Sequence, residues 1–320
     1  MKTFPMDSSA NDFPFLSIYR SKNNPQQPNS LADSDFTKTE KYFLNLFEIG
    51  LFEVYEFLYH NCTSDSDFKN WLVSLKGESF YEEKRILFNQ WLVHREKEET
   101  FTVPTILTPT AFDFWEKQGY LHLNNIIPEQ DCDEVVALIC ETLQIDLQQS
   151  ATWYPQNEKL MGLMLQLYQG KPIEKIRNNE KLFAIFADLY QSNNLIPNCE
   201  KVSYNPPETN SFKFLGSNLH WDIDFAEGPK YYIQGLVYLN DVPANRGAFT
   251  LVPGFHQNIE KVLSQQTPET AIEEIKKQEK IKYIDGKKGD LILWLQSIPH
   301  AASPNNSDCP RFVQYVSFER

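Results

Sequence analysis

The spacing of apolar residues along the chain changes character once, near residue 200. Before that point the period is helical. In "FTKTEKYFLNLFEIGLFEVYEFLYHN", residues 36–61, Phe43, Leu46, Phe47, Leu51, Val54, Tyr55 and Leu58 recur at intervals of three and four, one apolar stripe with a candidate break at Gly50. Ser79 and Glu82 in "SFYEEKRILFNQWL" form a Ser-x-x-Glu capping box ahead of another amphipathic run. Residues 36–96 therefore read as a small helical unit. The stretch before it, "RSKNNPQQPNSLADSD" (20–35), is rich in Asn, Pro, Gln and Ser and reads as an exposed loop or mobile arm; "REKEETFTVPTILTP" after it reads as a connector. Thr108 caps a helix with Pro109 at its first position, and Gly119 ends that helix before a short strand, Tyr120 to Leu123. Pro128 opens another helix, and two more helical stretches are expected around 158–169 and 178–191.

After residue 200 the rhythm becomes short apolar or alternating runs separated by turn residues: "KVSYN", "SNLHWDIDF", "YYIQGLVYLND", "GAFTLVPG", "KIKYIDG", "GDLILWLQS" and "RFVQYVSF". A helical insertion at 260–280 interrupts the series. Many short strands after a block of helices predict a mainly β fold with flanking helices (α+β), a jelly-roll or barrel whose inner face holds a site and whose outer face the helices brace. The division is 1–100, an amino-terminal arm and small helical unit, and 101–320, the strand-rich domain. There is no internal repeat.

Composition narrows the function classes. A chain of 320 residues is long enough for a full core, and 14% aromatic residues suit a β-rich interior with aromatic-lined pockets. The net charge of −13 opposes attraction to phosphate backbones and anionic membranes, so nucleic acid is not an expected partner. Five cysteines, widely spaced and without a CxxC pair, indicate neither a disulfide framework nor a cysteine zinc site, and they fit reduced thiols in a cytoplasm. The first twenty residues lack an apolar core of signal-peptide length, and nothing resembles a membrane span. A soluble, cytoplasmic protein is expected, its oligomeric state left open.

The candidate chemistry starts at "LHWDIDF", residues 219–225. On an extended chain residues i and i+2 share a face, so His220 and Asp222 project together while Trp221 faces away. An imidazole and a carboxylate supply two of the three protein donors of a 2-His-1-carboxylate triad for iron(II). The third candidate is His300, placed at the end of the apolar strand in "GDLILWLQSIPHAASPNNSDCPRFVQYVSF". Eleven residues on, Arg311 starts the next strand; a hairpin across 301–310 would put the two side by side on neighbouring strands. A guanidinium there matches a carboxylate in two-point fashion, as anchoring a small diacid such as 2-oxoglutarate requires. Other residues have plainer readings. His256 follows the Pro253-Gly254 turn, and His60, His94 and His122 sit in helical or lead-in segments with structural or surface roles. Gly247 and Gly289 are turn formers. Asp224 repeats the i+2 step, and with Trp221 is a candidate substrate contact or supporting partner of the metal site. The aromatic stripe at 42–58 is most simply helix core.

The set His220-x-Asp222, "GAFTLVPGFH", "GDLILWLQSIPHAA" and Arg311 resembles the phytanoyl-CoA dioxygenase family of iron(II)- and 2-oxoglutarate-dependent oxygenases, and "FWEKQGYLHLNNIIPEQDCDEVVALI" is similar to that family's helix-strand-helix lead-in. The resemblance covers roughly 110–318. It implies a double-stranded β-helix (jelly-roll, cupin-like) core with His220, Asp222 and His300 as iron ligands and Arg311 on the distal carboxylate of 2-oxoglutarate. It also implies hydroxylation of an unactivated C–H with O2, releasing succinate and CO2. Where the family often carries a hydroxyl two positions after the second His, this chain has Ala302, with Ser303 one further on as the candidate. Tyr238 lies where the family places another co-substrate contact, and Gln234 is expected on the same cavity. Related halogenases have a small residue in place of the acid, so Asp222 favours hydroxylation, with desaturation or ring formation as variants. The substrate class expected is a small molecule or a carrier-tethered group. Two alternatives are a cupin-like metal enzyme that does not use 2-oxoglutarate, opposed by Arg311, and a non-catalytic ligand-binding barrel, opposed by the intact triad.

Overall fold

The computed structural model describes residues 13–23, 34–94, 105–216, 218–277 and 280–320. The chain divides into two compact units, Met1–Glu98 and Glu99–Arg320.

The first unit is helical: α1 (Pro14–Lys22), α2 (Ser34–Leu46), α3 (Leu51–His60), α4 (Asp65–Lys76) and α5 (Glu78–His94). Its core is mostly aromatic, with Phe13, Phe15, Tyr19, Phe43, Phe47, Phe68, Tyr81 and Phe88 buried together with a few aliphatic residues. The apolar stripe breaks where glycine predicts. Gly50 leaves the helix at φ −70°, ψ 140°, and the Glu53 carboxylate accepts from its N–H. Two expectations need correction. Arg20 to Lys22 belong to α1 and Ser34 and Asp35 to α2, not to a loop; residues 24–33 of that expected arm lie outside the described residues. Ser79 lies inside α5, because Gly77 (φ +93°) breaks the chain one residue before the helix starts at Glu78. The capping box falls instead at Ser64 and Asp67, which exchange backbone and side-chain hydrogen bonds to open α4.

The second unit carries the helices α6 (Pro109–Gln118), α7 (Glu129–Leu143), α8 (Lys171–Arg177), α9 (Glu180–Tyr190), α10 (Ile259–Leu263) and α11 (Pro268–Lys277). Its strands are β1 (Tyr120–Leu123), β2 (Leu160–Met161), β3 (Met164–Leu165), β4 (Ile196–Pro197), β5 (Val202–Asn205), β6 (Ile233–Tyr238), β7 (Phe249–Leu251), β8 (Lys282–Ile284), β9 (Leu291–Leu295), β10 (His300–Ala302) and β11 (Arg311–Glu319). The lead-in forms as predicted. Thr108 Oγ1 accepts from Ala111 N–H, and Gly119 ends α6 at φ +69°.

All strand pairs are antiparallel. The large sheet runs β1-β9-β6-β11-β5-β3-β2, with β4 on β11, and the small sheet runs β10-β7-β8. Mixed helix and antiparallel sheet in this arrangement is the jelly-roll fold. The sheets pack face to face, the Phe249 ring of β7 lying 4.3 Å from the Trp294 ring of β9. On β11 alternate residues divide the labour: Phe318 packs on Phe186 of α9 on the outer face, while Arg311, Tyr315 and Ser317 line the space between the sheets. Trp221, Ile223, Val252, Ile259 and Ile275 form a separate cluster that fastens α10 and α11.

Three sequence expectations fail here for non-local reasons. Residues 158–169 are the hairpin β2-β3 and not a helix. Gly162 at φ +62° turns the chain, and Leu163 and β3 bond to β5, which outweighs the local helical spacing. Residues 218–225, expected as a strand, make a single bridge, His220 to His300, and end in a turn. The apolar strand also stops early. β9 ends at Leu295, so His300 opens β10 in the small sheet while Arg311 opens β11 in the large one. No hairpin joins them.

Candidate metal centre

His220 and His300 are held together by their backbones: each N–H donates to the other's carbonyl, at 3.0 and 2.9 Å. Their rings lie 4.7 Å apart. Each imidazole is also oriented by a bond from its far side. Since a carbonyl only accepts, Nδ1–H of His220 donates to Asn218 O (2.8 Å) and Nδ1–H of His300 to Ile298 O (3.0 Å), which turns both Nε2 atoms inward. Asp222 sits between them. Its Oδ1 lies 3.6 Å from His220 Nε2 and its Oδ2 lies 3.4 Å from His300 Nε2. The donor atoms of all three lie within 4.8 Å of one another. Nitrogen and oxygen donors at bonds of about 2.1 Å stand roughly 3 Å apart when adjacent on an octahedron. The 3.4 and 3.6 Å carboxylate–imidazole separations are within tenths of an ångström of that spacing, while the widest donor separation, up to 4.8 Å, has well over an ångström to close to grip an ion.

Electrostatics agree with that task. Burial and the neighbouring His300 hold the His220 imidazole below its usual pKa, which keeps it neutral as metal ligation requires. Burial pushes the Asp222 carboxyl upward, but the adjoining His300 imidazole, the Gln234 amide that donates to it and the nearby His220 hold it well below the usual carboxylate range.

The donors open into a cleft of about 410 Å³ between the two sheets. Arg311 lines it, although only 1% exposed. Its Nη1 donates to Gly247 O (2.6 Å) and its Nη2 to Ser203 Oγ (3.0 Å), while Nε has no hydrogen-bond partner. No carboxylate among the described residues pairs with it. The cleft mouth is apolar, with Met161 and Leu215 60% and 59% exposed.

The remaining predicted residues divide differently. Gln234 lines the cleft and donates to Asp222. Tyr238 does not reach it: its hydroxyl donates to Ile284 O and accepts from Phe249 N–H, tying the large sheet to the small one and leaving no proton to donate to a co-substrate. Ser303 donates to Ala248 O and points away, so Ala302 faces the cleft instead. The Trp221 indole donates to Ser297 O within the cluster that fastens α10 and α11. Asp224 accepts from Ala226 N–H in an exposed turn. Neither Trp221 nor Asp224 lines the cleft. His256 donates to Glu116 O, and His122 pairs with Asp290. Ser203, buried on β5, is the contact of Arg311 that sequence reasoning missed; its only signal was alternation with apolar Val202 and Tyr204.

Residues fit the group that such a site implies. Two imidazoles and one carboxylate are an iron(II) donor set, and a buried guanidinium lacking a counter-charge calls for an acid ligand.

The model of the family "Phytanoyl-CoA dioxygenase (PhyH)" matches residues 170–313. A putative phytanoyl-CoA dioxygenase of Dictyostelium discoideum is 23% identical, covering 64% of this chain and 73% of its own. In fold, the chain is similar to the crystal structure of EctD from S. alaskensis with bound Fe (15% identical, TM-score 0.50, 70% of this chain and 80% of that one). It is also similar to EvdMO1 (14% identical, TM-score 0.50, 66% and 49%). The second unit thus matches the phytanoyl-CoA dioxygenase family over residues 170–313, and its likeness is to iron(II)- and 2-oxoglutarate-dependent oxygenases.

Proposed function

We propose that this protein hydroxylates an unactivated C–H of a small-molecule or carrier-tethered substrate, with residues 101–320 as the oxygenase domain and 1–100 as an added helical unit. The carrying observation is that the His220, Asp222 and His300 donors and the buried, uncompensated Arg311 share one cleft. Bound iron(II), with 2-oxoglutarate and O2, supplies the oxidising chemistry, with succinate and CO2 as by-products.

The chain's own residues supply the rest. His220, Asp222 and His300 hold the ion on one face, leaving the opposite positions to small ligands. Arg311 takes the far carboxylate of the co-substrate, and its depth between the sheets sets how far in that end sits. Phe249 and Trp294 pack around His300, keeping water from the inner side of the site. Asp222, being a third protein donor, leaves no extra place for a halide and supports hydroxylation over halogenation. The net charge of −13 supports a partner that is neither nucleic acid nor an anionic membrane, and five free cysteines support a cytoplasmic setting. Burial pushes Cys132 up to about 12 and Cys140 up to about 11, so neither is a reactive thiolate. Among the described residues no helix is long and apolar enough to cross a membrane.

The test is anaerobic addition of iron(II) and then 2-oxoglutarate, followed by O2. A visible absorption band and succinate release are expected, both lost in Arg311→Ala and Asp222→Ala. Metal binding with no response to 2-oxoglutarate would return the cupin-like alternative.

A further inference from the structure

Asp222 is the most exposed of the three donors, its side chain 47% accessible, and it comes from a segment held to the sheets by one bridge. Besides the His300 ring, whose Nε2 lies 3.4 Å from Oδ2, a side chain of the large sheet restrains it by a hydrogen bond. Gln234 Nε2 donates to Asp222 Oδ2 at 2.7 Å. Gln234 is on β6, where it lies opposite Trp294 of β9 on one side and Ser317 of β11 on the other, so its backbone is fixed from both flanks. The amide has one workable orientation, because turning it over would set Oε1 against Oδ2, two acceptors with no proton between them. Its Oε1 meanwhile is buried without a hydrogen-bond partner. An apolar side chain of similar size would avoid that penalty. Whatever Gln234 contributes lies in the half of the amide that meets Asp222.

We propose that Gln234 is a positioning residue for the metal: by engaging Oδ2 it leaves Oδ1 to the ion and keeps Asp222 a one-oxygen ligand. This rests on the iron-binding reading above. The consequence is a coordination count. An octahedral ion held by three protein atoms keeps three positions, enough for two-point chelation by 2-oxoglutarate and one for O2. If both Asp222 oxygens bind, only two remain. Gln234 thus favours both metal affinity and co-substrate chelation without touching either ligand.

The experiment measures anaerobic binding of iron(II) alone, and then of 2-oxoglutarate to the iron-loaded full chain, in wild type, Gln234→Leu and Gln234→Glu. The leucine variant removes the donor; the glutamate variant keeps the size and replaces the donor with an acceptor. Iron(II) affinity is expected to fall about tenfold in Gln234→Leu, the scale seen when a ligand's hydrogen-bond partner is removed. In both variants the 2-oxoglutarate absorption band is expected to weaken, with the melting temperature of the metal-free protein unchanged. A purely structural role would move the melting temperature and leave the band. Wild-type iron(II) affinity together with a wild-type band in both variants overturns the proposal. If the wild-type protein itself binds no iron(II), the failure lies in the underlying metal reading and takes the proposal with it.

Discussion

Arg311 and Asp222 make opposite demands on their surroundings. The guanidinium is buried with only neutral acceptors on its Nη groups, a state that costs free energy until an anion arrives. Arg311→Lys keeps the charge but loses the planar fork, so the KM for 2-oxoglutarate is expected to rise by about tenfold or more, the equivalent of one charge-assisted hydrogen bond. Succinate release at varied 2-oxoglutarate reads it, and an unchanged KM would show that Arg311 does not meet the co-substrate. Asp222 sits at the water-facing side of the cleft and is made useful by neighbours. Asp222→Ala leaves two imidazoles to hold the ion, and iron(II) binding followed by calorimetry is expected to be lost. Residue identity alone did not separate contacts from ties. Tyr238 and Ser303 carry the right functional groups, yet each spends its hydroxyl on the fold.

Among the elements, the turn into β9 is the one that brings the lead-in against the sheets. Gly289 O accepts from the N–H groups of Ile126 and Ile127, and its own N–H donates to Tyr238 O. Asp290, 3% exposed, accepts from Asn125 N–H, Lys287 N–H and the His122 ring. Gly289 has φ +84°, and a Cβ there would lie 2.2 Å from Ile127 O, a backbone atom that cannot step aside. Gly289→Ala is therefore expected to destabilise the second unit by about 2 kcal/mol or more. A urea midpoint matching wild type would refute this. Turn chemistry of this kind was legible from the glycine alone. The partition of the chain between sheets was not, because a short apolar run feeding His300 reads the same whether the chain continues straight or turns at Gln296 and Ser297.

On the scale of the molecule, two cores share no residue. The aromatic core of the first unit draws on residues 13–92, and the clusters of the second on 107–318. Unfolding is expected in two transitions, of which iron(II) shifts only one upward; a single transition shifted as a whole would contradict separate cores. The first unit should also be pH-sensitive. Burial raises the Glu40 carboxyl, against the neighbouring Tyr19, the Tyr55 hydroxyl that donates to it and Asn23, which lower it. A proton held more tightly in the folded than the unfolded chain gives a contribution that is complete below the ordinary carboxylate range and disappears as pH rises through the raised value. The iron-insensitive transition should weaken over that window in wild type and stay level in Glu40→Gln; an equal slope in both would remove Glu40 from the account.

Contacts within a few residues were already written in the order of amino acids: the Thr108-Pro109 start and Gly119 end of a helix, the break at Gly50 and the His220-x-Asp222 pair, whose distant partners His300 and Arg311 were legible only through the resemblance of the whole motif set. Caps, turns and side-chain alternation depend on neighbours along the chain, so their signals survive without coordinates. Folding in three dimensions alone assigned His300 and Arg311 to different sheets, made 160–165 a hairpin, gave the Tyr238 hydroxyl to the fold and set Gln234 on Asp222. Each of these outcomes was chosen by a pairing between distant segments, and the free energy of such a pairing has no counterpart in local spacing.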